Sequence, residues 1–280
     1  MSDWSCEVLQ AGALRLDGGG MFGIIPKAMW STWAHPDESN RIPLQTNCLL
    51  LRSSAGTVLV ETGCGDKWTD RERSMYGLED RTIVDALREV DTTPDEIDLV
   101  VVTHLHFDHA GGLTTFDADD PDPSKPALPV FRNAEVVVQR LEWDDAVANR
   151  STMTRTYLRS HLDPIDDRLR LVEGGEEVLP GLRVEPVPGH TRGQQGVLVE
   201  TTSGTIAFLG DLLPTRHHVH HSAATAYDMD PYETMTVKRA LLERAFQERW
   251  TLALDHDFEV PLVQVDRDAR GRYELTNRDS

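Results

Sequence analysis

The stretch Thr103-His104-Leu105-His106-Phe107-Asp108-His109-Ala110-Gly111-Gly112 puts three imidazoles and a carboxylate within six consecutive positions. On extended backbone alternate side chains share a face, so His104 and His106 can converge on one cation. Asp108 and His109 follow where the chain must turn, and they can face a second cation. Gly111 and Gly112 let the backbone bend tightly beside such a site. A lone His or Asp at a strand end is more often an ordinary polar residue than a ligand. Here three more stand in comparable places: His190 in Pro188-Gly189-His190-Thr191-Arg192-Gly193, Asp211 after the apolar run 206–209 and Gly210, and His256 in Leu254-Asp255-His256-Asp257. Seven ligands suit a pair of divalent cations roughly 3.5–4 Å apart sharing a water. A bound water of pKa about 7 needs no separate strong base, and no Ser-His-Asp or reactive-Cys arrangement is evident.

These side chains must be held by strands and turns. Two apolar runs between Asn47 and Glu61 flank Ser53-Ser54-Ala55-Gly56 and read as a β-hairpin. Ile83, Val84, Leu87 and Val90 recur at helical spacing, and Thr93-Pro94-Asp95-Glu96 carries a capping-box pattern. The nearly continuous apolar run 97–103 predicts a strand covered on both faces, ending at His104. Residues 114–129 are acidic and Pro-rich, as a surface loop is. A strand at 134–138 and a helical region at 141–161 follow, then several short strands through residue 209. Asp230-Pro231-Tyr232-Glu233 opens the best-marked helix, with its stripe at Val237, Leu241, Leu242, Ala245 and Phe246. A last strand pair turns around Ala269-Arg270-Gly271. The first forty-odd residues read as irregular. Each half is strands, helix, then strands, a pattern that two helix-backed sheets satisfy by packing face to face.

Bulk properties narrow the partners. The 280 residues carry 28 Lys and Arg against 47 Asp and Glu, a formal charge of −19. That balance repels a phosphate backbone and anionic lipid, which argues against nucleic-acid or membrane partners and for a small-molecule substrate. The sequence leaves a homodimer open. Cys6, Cys48 and Cys64 form neither a disulfide framework nor a CxxC pair, and no secretory signal or apolar span is apparent, so the expected location is cytoplasmic.

From the hairpin near residue 47 to His256, the chain resembles the metallo-β-lactamase superfamily, with the metal-binding motifs in family order. The resemblance implies an α/β fold, a four-layer αββα sandwich, over one domain 1–280 that includes residues 1–45 as an N-terminal flap. It implies His104, His106 and His190 on one metal, Asp108, His109 and His256 on the other, and Asp211 bridging. Asp108 and Asp211 are then the catalytic carboxylates, Asp108 passing a proton toward the leaving group. Zn is the expected cation, although Fe, Mn and Co accept the same donors. Glu61 stands where many relatives have an aspartate; it either orients a ligand histidine or faces solvent at the hairpin end.

Within that family the ligand set resembles dinuclear lactonases that open acyl-homoserine lactones, and nearly as well methyl-parathion-type organophosphate and aryl ester hydrolases. A thioester hydrolase of the glyoxalase II type shares nearly the same ligands. Met21 and Phe22, in the apolar segment 18–33, would cover an acyl arm as a flap, or else pack as core. Lactonases of this kind commonly have a tyrosine shortly after the bridging aspartate; here Leu212-Leu213-Pro214 follows, so Tyr227 would have to substitute from a loop folded back over the metals. His218, in the run His217-His218-Val219-His220-His221, either lines the substrate pocket or lies on an exposed loop.

Overall fold

The structure, a computed structural model, describes residues 4–277 apart from 121, 123, 154 and 221. Six strands form the first sheet in chain order: Ser5–Asp17, Arg41–Ser53, Gly56–Val60, Leu99–Val101, Glu135–Gln139 and Leu169–Val172. The first three pair antiparallel and the others parallel. The second sheet runs Tyr273–Asn277, Leu262–Arg267, Thr251–Ala253, Gly204–Phe208, Gln195–Thr201, Leu182–Pro186 and Glu176–Leu179. Its one parallel pair, Gly204–Phe208 with Thr251–Ala253, needs a crossover, and the helix Pro231–Glu248 lies in that connection. Asp230 caps the helix by accepting the N–H groups of Tyr232 and Glu233.

Alternation along the strands makes the layers. Leu49, Leu51, Val58 and Val60 point between the sheets and meet Val184, Val197, Val199, Ile206 and Phe208. Their neighbours Leu50 and Leu59 point the other way, onto Ile83, Ala86 and Leu87 of the helix Ile83–Glu89. On the far side Leu198, Ala207 and Leu252 pack against Leu242 and Ala245. Helices, sheet, sheet and helices give the expected αββα sandwich. The strand Leu99–Val101 is buried throughout, as its unbroken apolarity implied. Among the described residues no helix is long and apolar enough to cross a membrane.

Two expectations need correction. The helical region 141–161 is two short helices, Arg140–Val147 and Arg159–Leu162, because Asn149 adopts a left-handed φ of 50° that stops the first. The N-terminal segment is ordered rather than irregular. Ser5–Asp17 is an edge strand whose register slips between Gln10 and Ala13, and that bulge at Gly12 breaks the period-two pattern by which a strand is read. Helices Gly18–Phe22 and Lys27–Ala34 follow.

Within that segment Met21 and Phe22 pack inward. Phe22 is 0% exposed, and with Met21 and Trp30 it packs on Leu14, Leu44 and Phe107 as core. Ile24 and Met29 are the segment's outward apolar residues, at 81% and 60% exposure. His218 is likewise interior, not on an exposed loop. It stacks on Phe22 at 5.1 Å, donates from Nε2 to the Met21 carbonyl at 2.8 Å and accepts at Nδ1 from the Thr215 hydroxyl. Burial pushes its pKa down to about 4, so the ring is neutral.

Since the unfolded ring titrates near 6.5, the unfolded chain takes up this proton first as pH falls. Stability from neutral His218 is complete above that value and is lost between pH 6.5 and 4, by up to about 3 kcal/mol. Comparing thermal unfolding of the parent and His218→Asn at pH 7 and pH 4.5 should show a smaller acid loss in the variant. Equal losses would remove His218 from the account.

Candidate metal centre

The centre forms where three strands end. After Leu99–Val101 the chain is clamped: Thr103 donates its N–H to Glu61 Oε1 at 2.7 Å, and its carbonyl accepts from Gln195 N–H at 2.9 Å. Leu105 N–H donates to Glu142 Oε1 at 2.9 Å. The short helix Phe107–Ala110 is held from above, its His109 carbonyl accepting both the N–H and the hydroxyl of Thr62. Gly111 follows with no space for a side chain, since a Cβ there would lie 2.1 Å from the Cys64 carbonyl oxygen. Asp211 comes after Gly204–Phe208 and His256 after Thr251–Ala253, at the same edge. His190 sits in the turn between Leu182–Pro186 and Gln195–Thr201.

Two sets of donors converge. His104, His106 and His190 have ligand atoms within 4.8 Å of one another, as do His109, Asp211, Asp255 and His256. All seven are buried. Asp211 stands between the sets: Oδ2 lies 3.1 Å from His190 Nε2, while Oδ1 lies 3.3 Å from His256 Nε2 and 3.5 Å from His109 Nε2. Asp108 faces the second set from its rim, 3.6 Å from His256 Nε2 and 3.8 Å from His109 Nε2. The predicted ligands thus share one centre, with Asp255 as an addition.

Four of the five imidazoles are turned by partners. His190 Nδ1 donates to Asp228 Oδ1 at 2.9 Å, and His256 Nδ1 donates to the Gln45 carbonyl at 2.8 Å. His104 Nδ1 faces the Thr103 hydroxyl at 3.0 Å, and His109 Nδ1 faces Glu61 Oε2 at 3.5 Å. So Glu61 lies inside, beside His109, and does not face solvent. These partners send the other ring nitrogens inward, where His190 Nε2 meets His106 Nδ1 at 3.0 Å and His256 Nε2 meets His109 Nε2 at 3.2 Å. Nitrogens this close need a proton or a cation between them. His104 Nε2 and Asp211 Oδ1 are buried without hydrogen-bond partners.

Charge makes the same demand. No Lys or Arg pairs with Asp108, Asp211 or Asp255 among the described residues. Burial keeps His104 and His106 neutral, pushing both well below the ordinary value. Burial opposes charge on His256 too, but Asp255 and Asp211 outweigh it and raise its pKa to about 10. At His109, Glu61, Asp108 and Asp211 likewise overcome burial. Burial also opposes ionisation of Asp211, yet His190, His256 and His109 hold it well below the usual carboxylate range. The residues fit two divalent cations, which would displace those protons on binding.

Three supporting residues were not predicted. Buried Glu142 accepts from Leu105 N–H, the Tyr157 hydroxyl and the Thr191 hydroxyl, joining the 103–112 loop to the His190 loop. Asp228 aims His190, and Asp255 adjoins His256. An acid on the buried face of the helix Arg140–Val147 was the available signal for Glu142. Of the other candidates, Tyr227 packs with Phe107 and Trp30, and its hydroxyl occupies the space a Cβ on Gly20 would need. Its loop does fold back: Met229 N–H donates to the His190 carbonyl, and Ala226 N–H to that of Gly20. Burial raises the phenol's pKa, so it stays protonated. The remaining histidines diverge, His217 stacking on Trp33 and His220 meeting the Ser222 hydroxyl; His221 lies outside the described residues.

Residues 41–256 match the family model described as the metallo-beta-lactamase superfamily. An N-acyl homoserine lactonase of Bacillus thuringiensis is 28% identical over 224 residues, covering 76% of this chain and 81% of that one. Among solved structures, a probable metal-dependent hydrolase from Staphylococcus aureus superposes with a TM-score of 0.87 at 29% identity, over 99% and 98% of the two chains. A dizinc quorum-quenching lactonase, AidC, in complex with a product, superposes with a TM-score of 0.80 at 17% identity, over 99% and 95%.

Removing Asp211 should release both cations, whereas removing Asp228 should weaken chiefly the set containing His190. Elemental analysis after dialysis against graded chelator should show Asp228→Ala losing one equivalent at about 10–100-fold lower chelator strength. Asp211→Ala should lose close to both. Full retention by Asp211→Ala would sink its shared position.

Proposed function

The chain belongs to the metallo-β-lactamase superfamily, and on that premise we propose that it is a metal-dependent hydrolase that opens a lactone bearing an acyl arm. The observation that carries the reading is Asp211, one oxygen toward each buried donor set. His104, His106 and His190 would hold one cation, and His109, His256 and Asp108 the other, with Asp211 shared. When bound, such a pair polarises a carbonyl and supplies hydroxide at neutral pH. Zinc suits the all-imidazole set.

The protein's own groups do the rest. Protonated Tyr227 donates a hydrogen bond to the substrate carbonyl as negative charge develops on its oxygen. Asp108, at the rim and 7% exposed, takes the proton released by water and passes it to the departing ring oxygen, so that ester and water leave as acid and alcohol. Met21 and Phe22, within the core, fix the N-terminal segment beside Tyr227, and His218 braces them from below. Ile24 and Met29 offer the apolar surface for the arm. This changes the role of Phe22: truncating it would open a core cavity, at about 3–5 kcal/mol, before it altered any substrate contact. The negative surface disfavours anionic thioesters at long range. A cytoplasmic location fits the buried thiols Cys48 and Cys64.

We expect acyl homoserine lactones to be hydrolysed with at least tenfold higher kcat/KM than glutathione thioesters. Each added CH2 should help by up to about 0.8 kcal/mol while apolar surface remains. Tyr227→Phe should lower kcat/KM for lactones about tenfold and leave the metal content unchanged. Should glutathione thioesters win by tenfold, with no dependence on acyl length, the lactone reading fails while the two-cation hydrolase stands.

A further inference from the structure

Asp255 belongs to no expected role, yet its side chain is 2% exposed within the second donor set. Its Oδ1 accepts the N–H of His256 at 3.0 Å. Its Oδ2 has no hydrogen-bond partner, and its carboxylate offers an oxygen within 4.8 Å of ligand atoms of His109, Asp211 and His256. It faces His256 Nε2 at 4.0 Å, too far for a hydrogen bond, and a buried carboxylate oxygen that no proton donor reaches is costly, so something must satisfy it. A cation among His109, Asp211 and His256 would do so directly.

We infer that Asp255 is an additional ligand of the second cation, and that the two positions therefore select different metals. This rests on the two-cation reading above. The first position offers three imidazoles and one oxygen of Asp211. The second offers two imidazoles, the other oxygen of Asp211 and Asp255, with Asp108 at its rim. Imidazole suits zinc, while added carboxylates favour harder cations such as Mn2+. The second position is the hard one.

The competing account is a neutral pair, in which Asp255 carries a proton shared with Asp211 and touches no metal. Asp255→Asn separates the two, because asparagine keeps the size and still offers N–H groups to Asp211. Apoprotein of parent and variant, matched by circular dichroism, would be titrated calorimetrically with Zn2+ alone and with Mn2+ alone. We expect two equivalents in the parent. In Asp255→Asn the first zinc should bind within twofold of the parent, the second equivalent at least tenfold more weakly, and Mn2+ should lose more than Zn2+. Unchanged binding of both equivalents would overturn the ligand role and support the neutral pair. A parent that binds only one equivalent would instead overturn the two-cation reading itself. A crystal of the Mn2+- and Zn2+-loaded parent gives a check free of mutation. Anomalous scattering should place manganese within bonding distance of Asp255 Oδ2, and a metal there with Asp255 turned aside would refute the inference.

Discussion

Asp211 is a carboxylate shut into the protein between two groups of imidazoles, and the arrangement around it follows from neutralising that charge. A buried carboxylate without a salt-bridging Lys or Arg can persist only beside protons or metal ions. Its two oxygens divide the demand, one facing His190 and the other His109 and His256. The imidazoles can answer only if their rings are turned, which is the work of Asp228, Gln45, Thr103 and Glu61. Those partners are themselves held, Asp228 by the Thr225 hydroxyl and Glu61 by a backbone donor at a strand end. Glu61, for instance, holds Thr103 N–H with one oxygen and faces His109 with the other.

Glu142 shows how far the constraint reaches. Its two oxygens take three donors, from the loop after Leu99–Val101, from Tyr157 and from the loop carrying His190. Burial pushes its pKa up, and the three hydrogen bonds oppose that rise. It touches no predicted ligand, yet it ties the loop after Leu99–Val101 to the loop carrying His190. Gly193, beside it, has no room for a Cβ because the Glu142 backbone nitrogen would be 2.2 Å away. Close approach of backbones replaces bulk here, which is why the site's loops are rich in glycine.

Much of this was legible because ligand chemistry clusters along the chain. Four donors at 104–109 after a nearly continuous apolar run identify both a buried strand and the site at its end. The single donors His190, Asp211 and His256 gained meaning from their places at strand ends. Residues that act through others left a weaker trace. Glu142 and Asp228 lie 37 and 38 positions from the groups they hold, and each reads locally as a helix or turn acid. Asp255 leaves no distinct trace, because an Asp next to a His reads as turn polarity. The edge strand Ser5–Asp17 was hidden by its own bulge, and Phe22 by the fact that composition does not say which side of an apolar segment faces inward.

Sequence separation also bears on how the site forms. His104, His106, Asp108 and His109 follow a strand of the first sheet, whereas His190, Asp211 and His256 are carried by the second. His256 draws its orienting carbonyl from Gln45, which sits on Arg41–Ser53 across the sandwich. No donor set is therefore complete until the faces built on Leu49, Leu51, Val197 and Phe208 have docked. Cations that need both sets bind the docked state and not the separated one, so their binding energy adds to folding by mass action. Without them, the same buried carboxylates must keep protons on His109 and His256. Docking by apolar contact thus creates an electrostatic debt that only the bound cations remove without leaving those rings protonated.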